Sequence, residues 1–171
     1  MKLVNTCTSL CRLSAPPPRT APVKNTSVMQ RDYILRMIEQ AAAVLRALLH
    51  RLLARETDTA EATRDLRRAA ALGGLDLDLL RLCDEDTTLL MVAPGGEPEP
   101  GRTWLAAEVL YLDGVAARLD DRRDAAVASF AKARLLFGLV QAGGVLPEGF
   151  PEAAERMREI DGRLAELAGT A

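Results

Sequence analysis

Few residues in this chain are of types that carry chemistry on their own. His50 is the one histidine. A base or metal ligand there would need a second His or Cys at ligand spacing on the same helix, and none stands there, so a structural histidine is expected. The cysteines are Cys7, Cys11 and Cys83. Two of them lie four apart in a proline-rich opening, which makes neither a zinc site nor a disulfide framework and points to a reducing compartment. Cys83 follows an apolar run and reads as a small core residue. Asp84, Glu85 and Asp86 gather negative charge, but a calcium loop needs more oxygen ligands at set spacings and a glycine. Helix capping is the expectation for Asp84 or Asp86. The chain has no glycine-rich phosphate loop, no nucleophile elbow and no paired carboxylates in a recognisable context. No catalytic, cofactor-binding or metal-ligating residue is therefore expected, and no enzyme.

Charged groups that could bind a partner are more numerous. Arg64, Arg67 and Arg68, with Arg51 and Arg55, could form a basic patch, although Glu61 and Asp65 among them favour a solvated face. Arg31, Asp32 and Tyr33 form the most distinctive local group, with Arg31 and Tyr33 the candidate partner contacts. Arg118, Arg122, Arg123 and Arg134 are further candidates. Nucleic acid is not an expected partner. The net charge is −2, and residues 1–28 hold Lys2, Arg12, Arg19 and Lys24 with no acid, which leaves the body more acidic still. Nucleic-acid binding wants a basic footprint.

The elements that must position these groups are helices. Hydrophobic content is 49% with only 4% aromatics. Ala, Leu, Arg and Glu dominate, and these are strong helix formers. Pro16, Pro17, Pro18 and Pro22 exclude a helix from residues 1–28, which read as a disordered segment. Met29 opens a better beginning, which leaves Met1 and Met29 as alternative starts of the native chain. A first helix is expected from about Arg31 to Arg55, with Ile34, Ile38, Ala41, Leu45, Leu48 and Leu52 as its core stripe. Leu35, Ala42, Leu49 and Leu53 form a second line, wide enough for cover on two sides. A second helix starts near Asp58, with Glu61 completing a variant capping box, and stops at Gly73–Gly74. The leucines from Leu75 to Leu82 fit a strand or a short helix, and the all-helical setting favours helix. Pro94 to Gly101 is a loop. Trp104 to Leu136 reads as a helical hairpin turning at Leu119–Asp121, with Asp121 as cap of its second helix. Ala126, Phe130, Ala133, Phe137 and Val140 line that helix, and Gly143–Gly144 stops it. Pro151 suits the first position of a last helix.

In the hairpin, Gly114, Ala126, Phe130 and Ala133 have the spacing of a tetratricopeptide repeat, which this stretch resembles. That family places Gly or Ala, then Ala, an aromatic and Ala, at these intervals. Asp121 replaces the family's turn glycine, Ala117 replaces its large aromatic, and no closing proline follows Leu136. The first two helices resemble a degenerate second copy through Ala62, Leu66 and Ala69. A solenoid wants about three copies. A second resemblance covers most of residues 30–168. The opening Arg31–Gln40, the capped second helix and the acidic Asp84–Asp86 segment before a long hairpin are similar to a family of small bacterial helical proteins. That family carries no established activity, so the resemblance implies a fold and a start at Met29, and no chemistry.

The expectation is an all-α protein. About six helices form antiparallel hairpins, in a tetratricopeptide-like array or an irregular bundle, as one domain over residues 29–171 with a flexible loop at 94–101. The expected function is a non-enzymatic protein-interaction or scaffold module, cytoplasmic, with no cofactor. A homo-oligomeric structural protein is the alternative, and a small-ligand-binding protein or enzyme a more distant one. No run is long and apolar enough for a membrane span.

Overall fold

A computed structural model describes the backbone of residues 25–140, 147 and 149–169, and side chains within those ranges from residue 36 onward. The readings made for residues 1–24, and the stop at Gly143–Gly144, lie outside the described residues.

Among the described residues there are seven helices and no strand. They are α1 (Asn25–Ala54), α2 (Thr59–Leu72), α3 (Leu77–Leu82), α4 (Glu85–Val92), α5 (Pro100–Leu119), α6 (Arg123–Leu139) and α7 (Ala153–Gly169). The all-α class expected from composition is the class observed. The leucine run is the helix α3, capped by Asp76, whose side chain accepts from the Asp78 and Leu79 amides. α1 begins at Asn25 rather than near Arg31, because no proline follows Pro22 to stop the backbone closing its turns. Pro100 and Gly101 belong to α5 rather than to the preceding loop. Glu99 caps that helix by accepting from the Gly101 and Arg102 amides, and proline is tolerated in a first turn. α7 begins at Ala153, two residues past Pro151, where the Glu152 carbonyl accepts from the Glu155 and Arg156 amides.

Three helix ends share one device. α1, α2 and α5 each close on a left-handed residue: Arg55 (φ 56°), Gly74 (φ 66°) and Asp121 (φ 56°). In each, paired amide-to-carbonyl bonds reach back over the last turn, as in Arg122 N–H to the Ala117 carbonyl at 2.9 Å. Asp121 therefore does not cap α6. Its left-handed backbone makes the turn, and Arg122 at the N-cap of α6 makes no side-chain cap bond. Asp58 does cap α2, at 2.7 Å from the Glu61 amide. The Glu61 carboxylate turns away to Arg51 and Thr57, so the capping box is half made.

α5 is the centre. Every residue from Thr103 to Ala117 is buried, because its apolar residues run all round the helix. α6 pairs with it most extensively, and α1, α2, α3 and α4 also touch it. A Cβ at Gly114 would lie 2.7 Å from the Phe130 ring, so only glycine lets the α5–α6 hairpin close this far. α2 runs antiparallel to α5, since Thr59 meets Asp120 at one end and Gly73 meets Leu105 at the other. α1, joined to α2 by a short turn, is antiparallel to α2 and parallel to α5. The first stripe of α1 is buried from Ile38 to Leu52. Its second line fades outward. Ala42 is buried, Leu49 half-buried and Leu53 exposed, so the chain covers α1 fully on one side only. No helix among the described residues is long and apolar enough to cross a membrane.

Candidate functional site

One face of α5 carries Trp104, Glu108, Tyr111, Val115 and Arg118. The spacing of four, three, four and three lines them up on a single stripe. α7 lies along it. Trp104 meets Phe150, just ahead of α7, edge to face at 5.0 Å. Glu108 takes the Arg156 guanidinium, Nε and Nη2 each 3.0 Å from Oε1. Tyr111 donates to Glu159. Arg118 pairs with Glu166 at 2.7 Å. These contacts advance together along both helices, so α5 and α7 are parallel, and α1, α5 and α7 all point one way.

The middle of this seam is a closed ring of charge. Arg156 donates from Nη1 to Glu159 at 2.7 Å while stacking over Tyr111, 4.1 Å from the ring centroid. Arg163 donates to Glu159 at 2.7 Å and to the Tyr111 hydroxyl at 3.1 Å. Glu108 has no exposure and Arg156 almost none. Burial pushes the Glu108 carboxyl up to about 7, with Arg156 pulling only partly back. For Glu159 burial pushes upward too, but hydrogen bonds from Tyr111, Arg163 and Arg156 outweigh it and hold the group down at about 2. Tyr111 is pushed up to about 12, by burial first and then by its bond to Glu159. A carboxyl near neutrality is a candidate acid or base. Glu108, however, spends its oxygens on Arg156 and is fully covered. The seam carboxylates that reach a cleft are Glu159 and Glu166, and Glu159 is anionic and already holds three donors.

A second buried network lies on another side of α5. Asp113 accepts from Ser129 of α6 at 2.8 Å and from Arg81 of α3. Lys132 donates to the Leu80 and Arg81 carbonyls at 2.9 Å each, a cation at the C-terminal end of α3. The network fastens α3 across the central hairpin.

The residues singled out from sequence fall apart spatially. Arg31 and Tyr33 have side chains outside the described residues. Arg118 is on the seam's rim and lines two shallow clefts, one of about 380 Å³ with Arg158, Glu159 and Arg163, the other with Asp121, Arg123 and Leu167. Arg122 is exposed at the hairpin turn and pairs with Asp120 at 3.4 Å. Arg123 donates to the Leu167 carbonyl, and Arg134 pairs with Asp161. His50 is exposed on α1. Cys83 is half-buried at the end of α3 rather than in the core, because the helix stops there and turns it outward. Asp84 caps α4. The possible basic patch around Arg51 is broken up by carboxylates, in line with the solvated face that Glu61 and Asp65 favour: Arg51 pairs with Glu61 and Asp65, and Arg67 with Asp78. Among the described residues no cluster of three or more His, Cys, Asp or Glu could hold a metal ion.

Sequence reasoning missed Glu108, Tyr111, Arg156, Glu159 and Arg163. A signal was present. Glu108 and Asp113 interrupt a helix that is otherwise apolar all round, and Arg156, Glu159 and Arg163 repeat at helical spacing. Comparison with protein-family models, with curated proteins and with solved structures finds no match to this chain.

Proposed function

We propose that this chain is a non-enzymatic protein-interaction or scaffold module of tetratricopeptide-like build, working in the cytoplasm. The observation that carries the reading is directional. α1, α5 and α7 run parallel, α2 and α6 run against them, and successive members pack side by side. Such stacked hairpins present extended surfaces to peptides or helices. The turn at Asp121 supports the likeness, since it holds the left-handed backbone where repeat proteins place glycine. The buried charges serve as fasteners: each carboxylate on the α5–α7 seam is spent on arginines within the chain. Arg118 and Arg122, both exposed, are the assigned partner contacts, together with Arg31 and Tyr33.

Capture by tagged full chain from the native host tests this, repeated with Arg118→Glu plus Arg122→Glu. Loss of a stoichiometric protein partner, with unchanged melting of the double variant, is the expected result. Full retention would remove those two arginines from the interface. A metabolite that raises melting by several degrees, with no protein captured, would point instead to a ligand carrier.

A second reading is a homo-oligomer, and one observation favours it. Leu82 and Leu79 of α3 and Leu90 of α4 are exposed by 83%, 50% and 71%, more apolar surface than a short hairpin usually leaves in water. On this reading Leu82→Glu converts a concentration-dependent dimer into a monomer in light scattering. A wild-type chain that stays monomeric at high concentration excludes it.

A further inference from the structure

α3 and α4 turn part of their apolar character outward. α3 buries Leu77 and Leu80 but leaves Leu79 and Leu82, three apart on one face, exposed by 50% and 83%. α4 buries Thr88, whose hydroxyl donates to the Asp84 carbonyl at 2.8 Å, while Leu90 stands 71% exposed. A single exposed leucine is ordinary, but three on consecutive short helices form a contact surface. The charge around them has one sign. Residues 76–92 hold Asp76, Asp78, Asp84, Glu85 and Asp86 against one basic residue, Arg81. Arg81 is spent on the buried Asp113 and on Asp78, which Arg67 also takes. Lys132, the other cation against α3, is buried on the Leu80 and Arg81 carbonyls. Asp76 and Asp84 cap helices. Glu85 and Asp86 are exposed and form no ion pair among the described residues. Asp86 precedes Leu90 by one helical turn, so acid and leucine share a face of α4.

We propose that the outer face of α3 and α4 is a docking surface for a basic amphipathic helix of a partner protein. Leu79, Leu82 and Leu90 take its apolar stripe. Glu85 and Asp86, with Asp76 and Asp84 beside them, take its lysines or arginines. The two helices hold six and eight residues, about 21 Å of helix in all, so a partner helix of about four turns spans them. Charge selects this occupant over the others. A second copy in the same seat sets its own acids against these, and like charges facing across an interface repel. Nucleic acid and anionic lipid are repelled for the same reason. A basic helix is steered in by the acidic rim, while the leucines supply the apolar burial that holds it. The proposal rests on the interaction-module reading, and adds to Arg118 and Arg122 an apolar surface with its own partner chemistry.

The probe is a labelled synthetic helix of about eighteen residues, leucine along one face and lysine along the other. It is titrated into the full chain with fluorescence anisotropy as the readout. Saturable one-to-one binding is expected, weakening as salt rises. The same peptide with glutamate for every lysine should bind about ten-fold more weakly or worse, and so should the lysine peptide to the full-chain variant Leu82→Ser with Leu90→Ser. Glu85→Gln with Asp86→Asn should weaken binding by about three-fold and flatten its salt dependence. The four substituted side chains are exposed, so both variants should melt as wild type does. Equal affinity for the two peptides, or for wild type and the leucine variant, overturns the proposal. So does a wild-type dimer that the leucine variant loses, since that gives the surface to a second copy. If a variant does not fold, hydrogen exchange of the wild-type chain with and without the lysine peptide decides. Slowed amides within residues 79–92 are expected, and slowing confined to other helices overturns the proposal. A chain that loses its captured partner through Arg118→Glu with Arg122→Glu, yet ignores this peptide, sinks the surface and leaves the interaction module standing.

Discussion

Glu108 has its carboxyl group sealed between two helices, facing one guanidinium. Its ionisation must weigh on the stability of the whole domain. The folded group titrates near 7, above the ordinary 4.5. The folded state thus holds this proton more tightly than the unfolded chain does. The stability it contributes is fully present below pH 4.5 and is lost as pH rises toward 7 and past it. Glu159 has the opposite sign. Its value of about 2 means stability present above pH 4.5 and lost as pH falls toward 2. Glu108→Gln imitates the protonated group. Its stability relative to wild type should therefore improve by roughly 2 kcal/mol between pH 5 and pH 8. Urea unfolding at the two pH values measures this. A difference that stays constant, or moves the other way, would show that Arg156 repays the full burial cost of the carboxylate.

At the scale of elements, the fold depends on close approach and on turn geometry. Gly114 sits against the Phe130 ring, and Gly114→Ala puts a methyl where there is no room. Overpacking of this kind costs about 1–3 kcal/mol, so the variant should melt lower with its helix content intact by circular dichroism. Arg55 holds a left-handed backbone at the end of α1 without the local hydrogen bonding that Asp or Asn can supply. Arg55→Gly should raise stability by roughly 0.5–1 kcal/mol, the strain relieved slightly outweighing the added freedom of the unfolded chain. A lower denaturation midpoint would place the strain elsewhere. Much at this scale was readable in the sequence. Capping by Asp58 and Asp84, the stop at Gly74 and the α5–α6 hairpin follow from local rules. Asp121 was misplaced because capping and left-handed turns favour the same residue, and only tertiary packing decides which it makes.

For the whole molecule, the legible part was the part fixed by periodicity. Stripes on α1, α2 and α6 show in the chain because each has one buried side. α5 has no single apolar stripe, since it is buried all round; Glu108 and Asp113 mark two of its sides, but nothing local says which helix each one meets. The seam is a long-range pairing between residues some 48 apart, such as Glu108 and Arg156. Charges of this kind read as a solvated face until another helix is laid on them. Their contribution is a matter of matching rather than strength. Removing one partner, in Glu108→Ala or Arg156→Ala, should cost about 3–5 kcal/mol, because the other is left buried and unpaired. Replacing both, in Glu108→Leu with Arg156→Met, should leave stability within about 1 kcal/mol of wild type or raise it. A double variant as unstable as the sum of the singles would show that the pair is a net stabiliser.

The claim that this chain works by holding another protein is most directly tested by calorimetric titration. The purified full chain is titrated with the protein recovered on it from the native host. The account predicts a saturable complex of fixed stoichiometry, with a negative heat-capacity change from the apolar surface it buries. A recovered protein that gives no heat of binding across a range of temperatures, or no recovered protein at all, would contradict it.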